Sequence, residues 1–198
     1  GAVLNPLPEV DYEAVMALKQ DLLRGIYDVC GERIVAADDC RRFVSENDSW
    51  LVPYAVFCSL RSEYGDERAK WGALERYDAA EAEKYAASHR QSVDYHIFVQ
   101  YILDAQMRAA RQAAHASGVA LKGDIPIGVA PTGVDVWRNP ELFNVTMSAG
   151  APPDAFAAEG QNWGFPTYDW PRMASEGYEW RRRRLQKMGE YFDAYRLD

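Results

Sequence analysis

The strongest restriction on the fold comes from two short apolar segments separated by a helix-forming stretch. Residues 119–129, "VALKGDIPIGV", combine apolar side chains with Gly and Pro, which is typical of a buried strand that turns into a loop. Residues 170–192, "WPRMASEGYEWRRRRLQKMGEYF", favour a helix, and "DAYRLD" at 193–198 favours a second strand. A helix between two apolar strands is a βαβ unit, which implies a parallel sheet or a piece of a barrel.

The first 117 residues are predicted to be helical. Residues 10–31 have helical apolar spacing and can end at Gly31, and residues 45–65 form an apolar run closed by Gly65, in which Pro53 is tolerable only in the first turn. Residues 70–90 are charged and alanine-rich, which predicts an exposed helix or a loop leading into one. Residues 92–118 carry the strongest helical pattern, one wide apolar face that stops at Gly118.

Composition excludes several classes of protein. The chain has 198 residues, 48% of them hydrophobic, enough for one sizeable core or two small subdomains. The net charge of −8 argues against a nucleic-acid partner, which needs a basic surface, and no apolar run reaches the ~20 residues of a membrane span. Cys30, Cys40 and Cys58 lack CxxC spacing and are expected to be buried or free thiols in a reducing compartment, so we expect a cytoplasmic protein.

Two carboxylates stand at the ends of the two predicted strands. Asp124 follows "VALKG", and Asp198 occupies the same place at the second strand. Barrel enzymes keep their active sites at this edge, although a loop cap would explain Asp124 equally well. Arg196 lies two residues before Asp198, on the same strand face, and could hold that carboxylate ionised, as a nucleophile requires.

The region between Ala130 and Tyr168 is rich in Pro, Gly, Asn and Asp and is predicted to be a long functional loop. Flat apolar rings beside amides and carboxylates suit a sugar, which offers a C–H face and a ring of hydroxyls. Alternatively, the aromatic side chains pin the loop to the helical part. The candidate side chains of this loop and of the residues just after it are Asp154, Gln161, Asn162, Trp163, Phe165, Tyr168 and Trp170.

Other patterns favour ordinary structure. Four arginines at 181–184 spread around a helix and indicate a solvated face rather than a phosphate site. His89, His96 and His115 lack metal-ligand spacing, and "GDIPIG" lacks the Lys-Ser/Thr of a phosphate loop. We therefore expect neither a metal nor a cofactor.

Four segments, in this order, resemble the 4-α-glucanotransferases (amylomaltases or disproportionating enzymes) of glycoside hydrolase family 77. They are "VDYEAVMALK", "LKGDIPIGVAPTGVDVWRNPELF", "GAPPDAFAAEGQNWGFPTYDW" and "YFDAYRLD". The resemblance is specific over residues 118–198. Within them, the segment "GQNWGFPTYDW" is most similar to the branch of plant cytosolic and Bacteroides-type enzymes.

The resemblance implies an α/β fold, a partial (β/α)8 TIM barrel carrying a large helical insertion and mostly helical by content. Residues 1–117 would be the insertion, and residues 118–198 a barrel segment with the substrate loop and the nucleophile strand. Asp198 would be the catalytic nucleophile within an Arg-x-Asp motif that includes Arg196. Asp124 would contact the donor sugar, and Asp154, Gln161 and Trp163, with Tyr168 beside them, would belong to the loop that closes over the glucan.

The implied reaction is retaining transfer of α-1,4-glucan units through a covalent glycosyl-enzyme, with maltose, maltodextrins or glycogen-like polymers as substrates. The family's acid/base Glu lies beyond Asp198, so this chain alone is expected to be inactive. Two alternatives remain: an α-glucan hydrolase of related fold, and a non-catalytic helical module that binds glucans or a protein partner.

Overall fold

The structure is a computed structural model that describes residues 9–197. It separates into two compact units, one holding the chain up to Glu63 together with Ala79–Leu103, the other holding Tyr64–Asp78 and the chain from Asp104 onward. The helices are α1 Tyr12–Val35, α2 Asp38–Tyr64, α3 Ala79–Ser88, α4 Arg90–Ala116, α5 Val134–Arg138, α6 Trp170–Ser175 and α7 Glu179–Gly189, with 3-10 turns at Arg68–Leu74 and Pro140–Leu142. The strands are β1 Lys122–Ile125, β2 Phe143–Ala151, β3 Gln161–Tyr168 and β4 Ala194–Leu197.

Helix α1 begins at Asp11, whose carboxylate accepts a hydrogen bond from the Ala14 amide at 2.9 Å. The prediction that Gly31 ends this helix is wrong, because α1 continues to Val35. Gly31 is buried, and a methyl group added to it would lie 2.1 Å from the Tyr27 ring. This glycine therefore gives the Tyr27 ring room to pack rather than stopping the helix.

Pro53 lies deep inside α2, not in a first turn as expected. Proline in a helix interior removes one backbone hydrogen bond, which is costly on its own. Here Pro53 is itself buried within the apolar middle of α2, and burial of its ring contributes stability against that cost. Helix α2 ends at Gly65, as predicted.

Helix α4 follows the predicted strong helical pattern and ends just before Gly118, which has a φ of 71°. In its first half, Tyr95 and Phe98 are buried against Tyr27 of α1, with both ring centroids 5.4 Å from that of Tyr27. This aromatic cluster forms part of the core of the first unit. The division between the units falls within α4, whereas the predicted domain boundary after residue 117 follows the end of the helix.

The βαβ prediction is confirmed, because β1 and β4 pair in parallel with Asp124 opposite Arg196. The helical stretch before β4 is not continuous as predicted: α6 and α7 are separated by Gly177 and Tyr178, both with positive φ. The chain is thus a mostly helical α/β structure, with a parallel strand pair in the second unit.

The prediction of a long loop between Ala130 and Tyr168 is largely wrong. This segment contains α5 and an antiparallel hairpin of β2 and β3, while residues 130–133, Asn139 and the hairpin tip at 152–160 lack regular structure. The base of this hairpin packs into a core cluster whose fully buried members are Val129, Val136, Leu142, Phe143 and Met173. The hairpin is therefore anchored at one end and exposed at the other.

Among residues 9–197, no helix combines the length and the apolar character that a membrane crossing would require. The three cysteines are free thiols, as predicted.

Candidate active site

A forked ion pair joins the two parallel strands. The Arg196 guanidinium donates from Nε to Oδ1 of Asp124 at 2.7 Å and from Nη2 to Oδ2 at 2.6 Å. Both side chains are more than half exposed, on the strand face opposite buried Gly123 and Ile125. Two parallel charge-assisted hydrogen bonds fix the plane of the guanidinium as well as its position. The pair therefore presents a rigid charged group near the carboxyl ends of β1 and β4.

The sequence predicted that Asp124 lies at the carboxyl end of a strand but not which residue it pairs with. We expected Arg196 to act on Asp198, and the described structure pairs it with Asp124. Asp198 itself lies outside the described residues, so its interaction with Arg196 stays a prediction. Strand alternation identifies which residues share a face, whereas the partner across the sheet depends on register, which a single sequence does not reveal.

Asp154 organises the tip of the hairpin. Its Oδ1 accepts hydrogen bonds from the amides of Phe156 and Ala157, both at 2.8 Å, and its own amide donates to the Ala157 carbonyl at 3.1 Å. An aspartate that binds amides two and three residues ahead forms a turn locally. Asp154 therefore shapes the tip, on which the Phe156 side chain is 99% exposed.

Gln161 and Trp163 lie next to each other on the same face of β3. The indole Nε1 of Trp163 donates to Oε1 of Gln161 at 2.9 Å, which fixes the ring beside a planar amide. Trp163 is 42% exposed, and its ring centroid is 5.9 Å from that of Phe165. An exposed flat ring with an amide at its edge can cover the C–H face of a sugar and bind its hydroxyls.

Tyr168 is held by packing. Its hydroxyl donates to the Ile127 carbonyl at 2.8 Å, and its ring lies 5.6 Å from that of Phe143 and 5.2 Å from that of Trp170. Arg181 lies over the same ring at 4.7 Å, so this arginine is not simply part of a solvated face. The contacts named here all lie within residues 127–181, so they hold Tyr168 within its own segment and do not pin it to the helical part at residues 1–117.

The hairpin base lies against the loop that leaves β1. A methyl group added at Gly128 would be 2.1 Å from the Phe165 ring, so Phe165 packs directly on this glycine. Together with the Tyr168–Ile127 hydrogen bond, this contact joins β3 to the residues that follow Asp124. The structure thus attaches the aromatic hairpin to the strand edge that carries the ion pair.

Sequence reasoning missed Asp193. Its carboxylate accepts hydrogen bonds from Arg111 at 2.9 Å, His115 at 2.8 Å and the Leu121 amide at 2.9 Å. The hydrogen bonds from Arg111, His115 and the Leu121 amide hold the pKa of Asp193 well below its usual range. The available signal was the pair Arg111 and His115, four residues apart and hence on one face of α4.

A second aspartate, Asp104, receives hydrogen bonds from Arg108 at 2.8 Å and from the Tyr191 hydroxyl at 2.6 Å, and Lys187 lies 3.4 Å away. Burial alone would raise the pKa of Asp104, but these partners outweigh it and lower the pKa. This cluster ties α4 to the end of α7 and touches neither strand.

Other possible sites do not coincide with these residues. A cavity of about 460 Å³ in the first unit is lined by residues 27–33 and Gln91 and includes none of the candidates. In the part of the chain that the structure describes, no group of three His, Cys, Asp or Glu side chains is placed to hold a metal ion.

Sequence comparison gives a single family. The profile of glycoside hydrolase family 77, described as 4-alpha-glucanotransferase, matches residues 2–198. The 4-alpha-glucanotransferase DPE2 of rice is 40% identical over 194 residues, which is 96% of this chain and 20% of the rice protein. The 4-alpha-glucanotransferase of Chlamydia muridarum is 30% identical over 196 residues, 98% of this chain and 37% of that protein.

Structural comparison agrees. An amylomaltase from Streptococcus agalactiae, solved in complex with acarbose, matches 98% of this chain with a TM-score of 0.85 and 26% identity. The amylomaltase of Corynebacterium glutamicum matches 92% with a TM-score of 0.69 and 24% identity, which bears on the fold alone. The chain spans only 20% to 41% of these four proteins.

Proposed function

Because the chain belongs to the 4-alpha-glucanotransferases of glycoside hydrolase family 77, we propose that it is part of an enzyme that transfers α-1,4-glucan units. The donors would be maltose, maltodextrins or glycogen-like polymers, and the acceptor would be the hydroxyl of another glucan. The observation that carries this proposal is the forked Arg196–Asp124 pair, near the carboxyl ends of two parallel strands and directly before Asp198.

In this proposal β1 and β4 are neighbouring strands of a (β/α)8 barrel. Residues 1–117 form a helical insertion, and residues 118–198 form a barrel segment. Parallel pairing, and a charged pair at the carboxyl edge where barrel enzymes place their active sites, support this assignment. The remaining strands would come from the other part of a protein as long as the relatives.

Asp198 would be the nucleophile. Its carboxylate attacks the anomeric carbon of the donor, a new carbon–oxygen bond forms, and the bond to the leaving glucan breaks. The leaving oxygen takes a proton from a second carboxyl group, supplied by the family's Glu outside this chain. An acceptor hydroxyl then attacks the glycosyl-enzyme, gives its proton to that carboxylate and releases Asp198.

Arg196 would keep Asp198 ionised. It precedes Asp198 by two residues, which places both side chains on one strand face. Its guanidinium is already oriented by Asp124, so a nearby carboxylate would gain electrostatic stabilisation with little further ordering. Asp124 would in turn lie beside the donor sugar.

The hairpin would bind the glucan chain. Trp163 and Gln161 provide the exposed ring and amide on β3, and Asp154 shapes the tip of the hairpin that precedes them. We assign Tyr168 the task of holding the hairpin against the loop after β1. Excluding water at this point would favour transfer over hydrolysis. The free thiols fit a reducing compartment, which supports our proposal of a cytoplasmic enzyme.

The test uses the full-length protein that contains this chain, incubated with maltotriose. We expect a ladder of longer and shorter maltodextrins, abolished by Asp198→Asn and retained by Asp21→Asn, a matched change on the exposed face of α1. Shorter products without longer ones would establish the hydrolase instead. Binding of maltodextrin without any product would establish the binding module.

A further inference from the structure

The register of β4 decides which of its side chains meet β1. In the observed parallel pair, Tyr195 lies opposite Gly123 and Arg196 opposite Asp124. Burial of one face normally fixes the register of a strand, and a slip of one residue turns every side chain to the other face. Arg196 meets Asp124 only in the observed register, so the interaction that aligns the start of β4 decides whether this pair forms.

Asp193 provides that interaction. It directly precedes β4, and Leu121 directly precedes β1. The Asp193 amide donates to the Leu121 carbonyl at 2.8 Å, and the Leu121 amide donates to the Asp193 carboxylate at 2.9 Å. This pair of bonds, 72 residues apart along the chain, aligns the starts of the two strands before their ladder begins.

Helix α4 anchors the same carboxylate. Arg111 and His115 both donate to it, and Arg111 also donates to the Glu190 carbonyl at 3.2 Å. An aspartate with three donors from two elements is held more firmly than a simple turn cap. Through Asp193, the start of β4 is therefore held by α4 as well as by the residue before β1.

We propose that Asp193 is a positioning residue of the transfer reaction. It fixes the register of β4, so that Arg196 faces Asp124 and Asp198 follows on that face. Asp193 precedes Asp198 by five residues in the sequence, and the proposed role acts through the strand and not through contact with a reacting atom. This role rests on the proposed function, in which Asp198 is the nucleophile.

The test compares Asp193→Asn with Asp104→Asn in the full-length protein. Both changes neutralise an aspartate that links α4 to residues near 190, but only Asp193 contacts the strand pair. We expect Asp193→Asn to lower kcat for maltotriose by about 100-fold, the typical effect of a misplaced catalytic group, with KM changed less than about threefold. Asp104→Asn should keep kcat within about threefold.

Hydrogen exchange distinguishes a loss of strand register from a general loss of stability. The amides of Tyr195 and Leu197, on the same side of the strand as the Asp193 amide that bonds Leu121, should exchange faster in Asp193→Asn than in Asp104→Asn at equal thermal stability. If Asp193→Asn does not fold, His115→Leu removes a single donor and carries the same comparison, with a smaller fall in kcat.

Unchanged kcat in Asp193→Asn would overturn this inference, and so would a loss of kcat in both variants that follows stability alone. An inactive wild-type protein would instead refute the transferase. In that case the exchange comparison still decides whether Asp193 sets the register of β4.

Discussion

At the scale of single residues, Gly123 shows how closely β1 is packed. A methyl group added at this position would lie 2.6 Å from the Phe192 ring, well inside van der Waals contact. Phe192 follows α7 and immediately precedes Asp193, so its ring covers β1 beside the residue that aligns the strands. The absence of a side chain at Gly123 is therefore a requirement of the β1–β4 pair.

Replacing Gly123 by alanine should destabilise the protein by about 1–3 kcal/mol, because the Phe192 ring must move out of its place. Gly25→Ala in α1 is the matched control, since nothing lies within 4 Å of the added methyl group. Alanine in a helix interior should stabilise by about 0.5–1 kcal/mol. Urea denaturation of each variant measures both changes, and equal effects would contradict the close packing.

The sequence indicated the places of single residues better than the partners they contact. Asp124 was identified because a carboxylate after an apolar strand is visible in a linear pattern. The hydrogen bonds of Arg196 and Asp193 join residues more than 70 positions apart, and no local pattern encodes which ones meet. The Gln161–Trp163 contact was not predicted, because these residues were expected to lie in a loop and not on one strand.

At the scale of elements, the hairpin was hidden by its irregularity. Its ladder shifts register between Asn144 and Ser148 and again between Ser148 and Gly150, which interrupts the alternation by which a strand is recognised. The helices of the first unit were predicted well because their apolar spacing is regular. The errors at Gly31 and Pro53 arose because tertiary packing outweighed local preference.

The tip of the hairpin should depend on one carboxylate. Asp154→Ala removes the acceptor of the Phe156 and Ala157 amides, so both should exchange with solvent faster. Asp154→Asn retains an oxygen at the same place and should remain close to wild type. Melting temperatures should stay similar, because the tip is exposed, and a global loss of stability in Asp154→Ala would contradict this local role.

At the scale of the whole molecule, a partly buried histidine makes stability depend on pH. His96 lies on α4 in the first unit, and its Nε2 has no hydrogen-bond partner among the described residues. Burial lowers the pKa of His96 to about 4, and the nearby charge of Arg24 acts in the same direction. Unfolding exposes the ring, whose pKa then returns to about 6.5.

The folded protein therefore binds fewer protons than the unfolded chain between pH 6.5 and 4. The stability due to neutral His96 is complete above about pH 6.5 and is lost as the pH falls towards 4, on the order of 2 kcal/mol in all. His96→Leu should flatten this part of the profile in denaturant titrations. Both proteins should still lose stability below about pH 4, where Asp193 and Asp104, with lowered pKa values, take up protons.

The long separation between Leu121 and Asp193 also bears on the order in which the protein folds. Helices α1, α2 and α4 need only local contacts to begin, whereas β4 can join β1 only after a loop of 72 residues has closed. Loop closure carries an entropic cost that no partial contact repays, so the strand pair should form after the helices and should open before them. In kinetic terms, the edge formed by β1 and β4, where we propose catalysis, would be the last part of this chain to fold and the first to unfold under mild denaturation.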